Sequence, residues 1–419
     1  MTIRRVAMLS VHTCPLATLG GKETGGMNVY VRDLAREFSR RGIAVDVFTR
    51  SQNSHLPHVM HKLGVRGRVV HIPAGPEEPY DKNKVFDHLP EFTEGVLRFA
   101  RDEGVEYDVV HSHYWLSGWV ASELRAAWGT PIVHMFHTLG LMKNQVADGP
   151  SEMETCRRID VETEIVNYAD RLIAATPAEK TQLEWLYGAD PQRISVIPPG
   201  VDTRHFFPMP REVARERIGA APGDWMVLFV GRIERLKGVD TLIRAIALLA
   251  HECPTWVEKM CVAVIGGDPA TNENAEMERL KAMRLDLGLS GLITFLGARD
   301  QDQLQYYYNA ADFVVMPSRY ESFGMVALEA MACGRPVIAS EVGGLAYLVR
   351  DGETGFHVPE GQHISLATAM ARLLQDDTLR MRLGRQAEAW AQNYTWPRVA
   401  DQLIGVFEAE QSARVPVLA

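Results

Sequence analysis

Cysteines are few in this 419-residue chain, and none has a structural spacing. Cys14, Cys156, Cys253, Cys261 and Cys333 are odd in number, far apart and without a CxxC pair. That pattern excludes a disulfide framework and a cysteine-rich zinc site. His111 and His113 form an H-x-H pair, but no HExxH and no carboxylate triad follows, so no metal site is expected. No run approaches the roughly 18 apolar residues that a membrane helix needs. The start, Met1-Thr2-Ile3-Arg4-Arg5 and a short strand-like stretch ending in His12, lacks the apolar core and cleavage site of a signal peptide. A cytoplasmic protein is therefore expected. A long basic run is also missing: 44 Lys and Arg face 53 Asp and Glu, a net charge of −9. Such a chain is a poor partner for a nucleic-acid backbone. Short repeats, low-complexity tracts and a GxGxxG dinucleotide fingerprint are absent as well.

What is present is an ordinary globular composition, 46% hydrophobic and 23% charged. At roughly 150 residues per domain it suggests two or three domains. Short Val- and Ile-rich runs recur at Val6–Val11, Val45–Thr49, Val69–Ile72, Asp108–His111, Ile132–Phe136, Leu172–Ala175 and Ile194–Ile197. They fit strands buried on both faces. Helical patterns separate several of them. In Asn28–Arg41, for example, Val31, Leu34, Ala35 and Phe38 share one face. Pro198-Pro199-Gly200, then Pro208 and Pro210, break the pattern. It restarts with a strand at Met226–Val230, a helix at Val239–Ala250, and strands at Val262–Ile265, Ile293–Leu296, Phe313–Met316 and Val337–Ala339. Strand–helix alternation on both sides of a proline-rich linker predicts two α/β domains in tandem, each with a parallel sheet. A cleft between two such domains is a usual ligand site.

Three segments carry chemistry. Gly20-Gly21-Lys22-Glu23-Thr24-Gly25-Gly26-Met27-Asn28 follows the first strand and opens the first helix. It suits phosphate or sugar contact at a helix N-terminus, or a flexible turn. Gly231-Arg232-Ile233-Glu234-Arg235-Leu236-Lys237-Gly238 ends a strand of the second half. Arg232 and Lys237, two cations without matched acids, suit a diphosphate leaving group; the bland reading is a solvated loop with salt bridges to Glu234. In Glu321-Ser322-Phe323-Gly324-Met325-Val326-Ala327-Leu328-Glu329, two glutamates bracket a strand-to-helix turn whose N–H groups can face an anion or hydroxyl. Glu329, deeper in that helix, can accept two ribose hydroxyls.

The order Gly-Gly-Met-Asn-Val-Tyr, His-Ser-His-Tyr-Trp, Phe-His-Thr-Leu-Gly, Pro-Pro-Gly-Val-Asp, Gly-Arg-x5-Lys-Gly and Glu-x7-Glu resembles the retaining glycosyltransferases of family 4. The resemblance covers nearly the whole chain. It implies the GT-B fold, two Rossmann-like domains facing across a cleft: an acceptor domain at 1–200, a nucleotide-sugar domain at 201–395, and a C-terminal helix at 396–419 crossing back to the first. On the donor side it implies Arg232 and Lys237 on the diphosphate, Glu329 on the ribose and Glu321 on a sugar hydroxyl. Phe323, Gly324, Met325 and Val326 would give backbone contacts, the main chain near Arg299 would read the base, and Gly26 would approach the β-phosphate. His137 would touch the sugar 6-hydroxyl.

Within the family the chain is similar both to the mycothiol-pathway enzymes that glycosylate inositol phosphate and to sucrose-phosphate synthases, which glucosylate fructose 6-phosphate. Such enzymes bind the acceptor phosphate with a Lys, a Tyr, a Thr and an Arg. The matching residues are Lys82, Tyr114, Thr138 and Arg158, with Asn28 on the acceptor ring. Lys84 rivals Lys82, and Arg157 adjoins Arg158. Sucrose-phosphate synthases usually carry Gln at Asn28, and mycothiol-type enzymes more often have Ala at Gly140. Gly140 and Lys143 look closer to the sucrose-phosphate pattern, so the acceptor stays open between the two.

The expected reaction moves a hexosyl group from a nucleotide sugar, UDP-glucose or UDP-N-acetylglucosamine, with retention. No pair of carboxylates is placed for double displacement. Front-face substitution follows, with the departing diphosphate deprotonating the acceptor. No DxD motif stands at a strand end, so no cofactor is required and catalysis should survive chelators. Domain closure around Pro198–Gly200 should accompany binding. Similar enzymes often form homodimers, although no seam is legible. Four other readings use the same two-domain pattern or site. A nucleotide-sugar 2-epimerase would leave the acceptor pocket pointless, a phosphorylase-like enzyme would need a lysine-bound pyridoxal phosphate, and a sugar-binding module gives no reason for diphosphate cations. A glycosyltransferase with an unphosphorylated sugar or lipid acceptor would keep the donor site alone.

Overall fold

A computed structural model of the chain describes residues 2–17, 25–147, 149–267 and 275–414, with Ser151 by its backbone alone. The chain divides into two compact units. The first comprises the described residues of 1–17, 26–198 and 396–419; the second comprises those of 18–25 and 199–395.

The first unit is built on an eight-stranded sheet. Its strands are β1 (Arg5–Leu9), β2 (Ala44–Arg50), β3 (Val59–Met60), β4 (Gly67–Ile72), β5 (Val109–His113), β6 (Ile132–Met135), β7 (Arg171–Ala174) and β8 (Ile194–Val196). Their spatial order is β3-β4-β2-β1-β5-β6-β7-β8, with only the β3–β4 pair antiparallel. Val6 of β1 lies beside Val45 on one side and Val109 on the other. Central strands are buried almost throughout, which is why they read as continuous apolar runs. The order reverses between β1 and β5, and such a switch point opens a crevice beyond the strands' carboxyl ends. His113 is the last residue of β5, and Tyr114 follows it.

The last helix, Trp396–Arg414, belongs to this unit. Phe407 meets Phe38 at 5.8 Å between ring centroids, and Trp396 meets Tyr30 edge-on at 5.5 Å. Arg171 Nε donates to Glu410 at 2.8 Å, and Gln411 to Asp108 at 3.0 Å.

The second unit holds six parallel strands: β9 (Trp225–Val230), β10 (Met260–Ile265), β11 (Ile293–Gly297), β12 (Phe313–Met316), β13 (Val337–Ser340) and β14 (Gly355–Val358). Their order is β11-β10-β9-β12-β13-β14, with the switch point between β9 and β12. Gly231 and Arg232 follow β9 directly. Two strands escape the hydrophobic pattern. β3 is two half-buried residues, and β14 is an edge strand opening on glycine with a half-exposed His357. Neither makes the continuous apolar run of a central strand. No helix among the described residues is long and apolar enough to cross a membrane.

Candidate active site

In the first unit the candidate acceptor residues gather around Arg158. Thr155 caps the helix Cys156–Tyr168 by accepting from the Arg158 N–H, so Arg158 points from the first turn into the unit. Its guanidinium is wholly buried. Nε donates to Glu162 at 2.7 Å, Nη1 to the Tyr114 hydroxyl at 3.0 Å, and Nη2 to the Thr138 carbonyl at 2.8 Å and hydroxyl at 3.2 Å. Burial opposes the charge, but Tyr114, Glu162 and Glu154 outweigh it and raise the Arg158 pKa further. Glu162 is fixed in turn by the Gly140 N–H at 2.9 Å and by the Tyr187 hydroxyl. A Cβ on Gly140 would lie 2.6 Å from Ile159 Cδ1 and 3.0 Å from Glu162 Oε2, so glycine here leaves the ion pair uncrowded.

Lys82 and Lys143 join the cluster through a residue that no motif announced. Glu154 lies 3.0 Å from Arg158 Nη1 and 3.5 Å from Lys82 Nζ, and it accepts a hydrogen bond from Lys143. Burial would raise the Glu154 carboxyl, but Arg158, Lys82 and Lys143 hold it down at about 2. The Lys143 ammonium is shifted down by burial and by Lys82, against the pull of Glu154. The rivals sit elsewhere: Lys84 is exposed, and exposed Arg157 pairs with Asp87 at 3.1 Å. Asn28 is buried in a separate set of contacts, donating to Thr13 Oγ1 at 2.7 Å and the Cys14 carbonyl at 2.8 Å. Gly26 opens the helix Gly26–Arg40, whereas Gly20, Gly21, Lys22, Glu23 and Thr24 lie outside the described residues.

His137 and Tyr114 are the non-glycine residues with positive φ among those described, at 63° and 73°. Such backbone costs on the order of 1–3 kcal/mol and persists where surrounding structure imposes it. Both follow the carboxyl ends of neighbouring strands, β6 and β5. His113 Nδ1 and His137 Nε2 are 3.0 Å apart, and Tyr30 stands edge-on to both rings. Burial and neighbouring imidazoles push His137 down to about 3, and His113 is also lowered, so both rings are neutral near pH 7. His113 Nε2 is buried without a protein partner. Burying an unpaired N–H is the rarer arrangement, so the His113 proton belongs on Nδ1, donated to His137 Nε2. His137 then carries its own proton on Nδ1.

In the second unit the structure corrects one expectation. Arg232 and Lys237 are not without matched acids: Arg232 pairs with Glu234 at 3.0 Å, and Lys237 donates to Glu321 at 2.6 Å. Both basic residues sit on the loop between β9 and the helix Val239–Glu252, and Lys237 precedes a glycine the backbone demands. Gly238 has φ 65°, and a Cβ there would lie 2.0 Å from the Pro317 carbonyl oxygen. The helix Met325–Ala332 starts at Gly324, φ 106°, so Met325 and Val326 lie in its first turn, where N–H groups lack helical partners. Phe323 is buried just before it. Glu329 is buried, accepting from the Tyr308 hydroxyl at 2.7 Å and from Gln301 at 3.3 Å. Arg299 turns its side chain to Tyr307 at 3.2 Å and to the Ala298 carbonyl at 2.9 Å.

Pattern reading also missed the support under Glu321. A Cβ on Gly344 would lie 2.3 Å from Phe323 Cα, and one on Gly343 2.1 Å from the Glu321 carbonyl oxygen. The Gly343-Gly344 pair was a visible signal without an assigned purpose. Among the described residues no group of three or more His, Cys, Asp or Glu side chains is arranged to hold a metal.

Two α/β units on largely parallel sheets, one gathering Lys82, Lys143 and Arg158 around Glu154, the other setting Lys237 and Glu321 beside a helix N-terminus, have the make-up of a GT-B glycosyltransferase. Residues 24–205 match the family described as Glycosyltransferase Family 4, and residues 210–390 match Glycosyl transferases group 1. The chain belongs to glycosyltransferase family 4. It is 43% identical to the D-inositol 3-phosphate glycosyltransferase of Acidothermus cellulolyticus over 407 residues, 97% of this chain and 90% of that protein. The enzyme of the same name from Actinosynnema mirum is also 43% identical, over 97% of each chain. Among solved structures, a sucrose-phosphate synthase from Thermosynechococcus elongatus superimposes with a TM-score of 0.89 at 35% identity, covering 98% of this chain and 100% of that one.

Proposed function

We propose that the enzyme transfers a hexosyl group from a UDP-sugar, with retention, to a small phosphorylated sugar or cyclitol. The observation that carries this reading is the convergence of Lys82, Lys143, Arg158, Tyr114 and Thr138, which has the donors and charge of a phosphate pocket. D-inositol 3-phosphate, the acceptor in the relatives' names, is the first candidate. Fructose 6-phosphate, suggested by the sucrose-phosphate synthase likeness, is the second.

In the proposed reaction the bond from the sugar's anomeric carbon to the β-phosphate breaks, and a bond to the acceptor oxygen forms on the same face. The acceptor proton passes to an oxygen of the departing diphosphate. Arg232 and Lys237 stabilise the charge that grows there, each by a few kcal/mol as an order of magnitude. They must leave Glu234 and Glu321 in part to do so. Glu321 is then released to a donor hydroxyl, Glu329 takes the ribose, and the N–H groups from Phe323 to Val326 face the donor. Gly26 approaches the β-phosphate, and the main chain near Arg299 reads the base. His137, held by His113, meets the sugar, and Asn28 meets the acceptor ring. No cofactor is required, and a cytoplasmic setting fits both substrates.

The test is UDP release from UDP-glucose and UDP-N-acetylglucosamine, each with D-inositol 3-phosphate, fructose 6-phosphate and their unphosphorylated parents. Acceptor-dependent release with one phosphorylated compound is expected. Release only with an unphosphorylated acceptor would discard the phosphate pocket and keep the donor site.

A further inference from the structure

Glu154 occupies the centre of the cation cluster that the proposed function gives to the acceptor phosphate. Its side chain is 6% exposed and meets Lys82, Lys143 and Arg158 together. Lys82, Lys143 and Arg158 carry three positive charges, and Glu162, locked to Arg158 Nε and the Gly140 N–H, takes one. The remaining two match a phosphate monoester, which approaches −2 above its second pKa of about 6. With Glu154 also in place only one positive charge is left, and the dianion would make the cluster net negative. Phosphate and the Glu154 carboxylate therefore compete for the same donors.

The local backbone lets the carboxylate leave. Glu154 lies between the short turn Pro150–Glu152 and the helix Cys156–Tyr168 and belongs to neither. Thr155, not Glu154, caps the helix. The Glu154 N–H donates to Asn144 Oδ1 at 2.7 Å, which holds the residue near the pocket even when its side chain swings away.

We propose that Glu154 is a tethered internal anion in the acceptor-phosphate position, and that a phosphorylated acceptor binds by displacing it. Glu154 thereby sets how tightly the acceptor phosphate is held. A phosphate ester replaces the three charge-assisted contacts that the departing carboxylate gives up. Between turnovers the carboxylate keeps three like charges assembled. The proposal rests on the phosphorylated-acceptor reading above.

The test uses the full-length enzyme with inorganic phosphate as probe, read both by thermal upshift and by inhibition of acceptor-dependent UDP release. If the wild-type pocket is free of its carboxylate for about a tenth of the time, Glu154→Gln should respond to about tenfold less phosphate. The KM for the phosphorylated acceptor should fall by a similar factor. Glu154→Asp, with its carboxylate drawn back by one methylene, should lie between the two and serves if the Gln variant does not fold. Unchanged or weaker phosphate binding in these variants, while Lys143→Ala loses it, would overturn the displacement idea and leave the acceptor reading standing. A wild type that neither binds phosphate nor distinguishes phosphorylated acceptors would overturn both.

Discussion

In the first unit Arg158 is 0% exposed and its partner Glu162 likewise, while in the second Arg232 is 37% and Glu234 35% exposed. Lys237 and Glu321 lie between these extremes, at 18% and 16%. The same charge types are thus held under opposite conditions. Buried ions are tied to several partners at once, because each loose contact there costs several kcal/mol. Half-exposed ions keep water as an alternative partner and can exchange at little cost. A site that must hold its shape suits the first arrangement, and one that must release its cations to a leaving group suits the second.

The largest effect expected from this contrast is on stability. Arg158→Met leaves Glu162 buried without its cation and should destabilise the fold by about 3–5 kcal/mol, read from urea midpoints at constant m-value. Adding Glu162→Gln should recover much of that loss, since the orphaned charge is gone. A single variant as stable as wild type would break the comparison. It follows that loss of activity in Arg158 variants says little about acceptor binding unless folding is measured alongside.

Next comes Lys237→Ala, where the expected effect falls on turnover. Removing a donor from a developing anion costs about 10²–10³ in kcat. Stability should fall less than in Arg158→Met, because the pair is partly exposed. Arg232→Ala should behave alike. Near-normal turnover in either would remove these residues from the leaving-group site.

How far the sequence disclosed all this depends on the distance over which each feature is encoded. Central strands such as Phe313–Met316 were legible because burial on both faces makes them continuous apolar runs. Edge strand Gly355–Val358 was not, having a glycine and a half-exposed histidine in four residues. Arg232, Lys237, Glu321 and Glu329 stood out because each lies in a short local motif at a strand end. Glu154 belongs to no motif: its meaning comes from Lys82, Lys143 and Arg158 arriving from separate segments. The His113–His137 contact likewise needs β5 and β6 in register, which periodicity does not supply. That Arg232 and Lys237 have acid partners was half visible in Glu234, but the Lys237–Glu321 pair joins two motifs that looked independent.

Glu179 sharpens the contrast because its carboxyl is buried without a cation. It accepts from the Ala175 N–H at 2.7 Å, and burial pushes it up from its usual 4.5 to about 7. Between pH 4.5 and 7 the folded chain keeps a proton that the unfolded chain has released. Stability from this group is therefore full below 4.5, falls as pH rises through that window, and levels off above 7. Glu179→Gln removes the slope. The variant should gain on the order of 3 kcal/mol at pH 8 and nothing at pH 4, measured as the difference in unfolding free energy. An equal gain at both values would assign the effect to packing rather than to charge.

The smallest effect should come from Glu234→Gln, which removes the acid beside Arg232. The pair is over a third exposed on both sides, so its contribution to stability should be less than about 1 kcal/mol and should shrink further with added salt. The informative reading is the donor KM. If Arg232 serves the diphosphate, freeing it from Glu234 should hold or lower that KM, because one competing anion has gone. The substitution is thus the half-exposed counterpart of Glu154→Gln. Both remove a carboxylate from a cation proposed to meet a phosphate, one in a pair over a third exposed and one in a buried cluster. A shift in affinity much smaller at Arg232 than at Arg158 would tie the strength of internal competition to burial. Equal shifts would mean that burial does not set it.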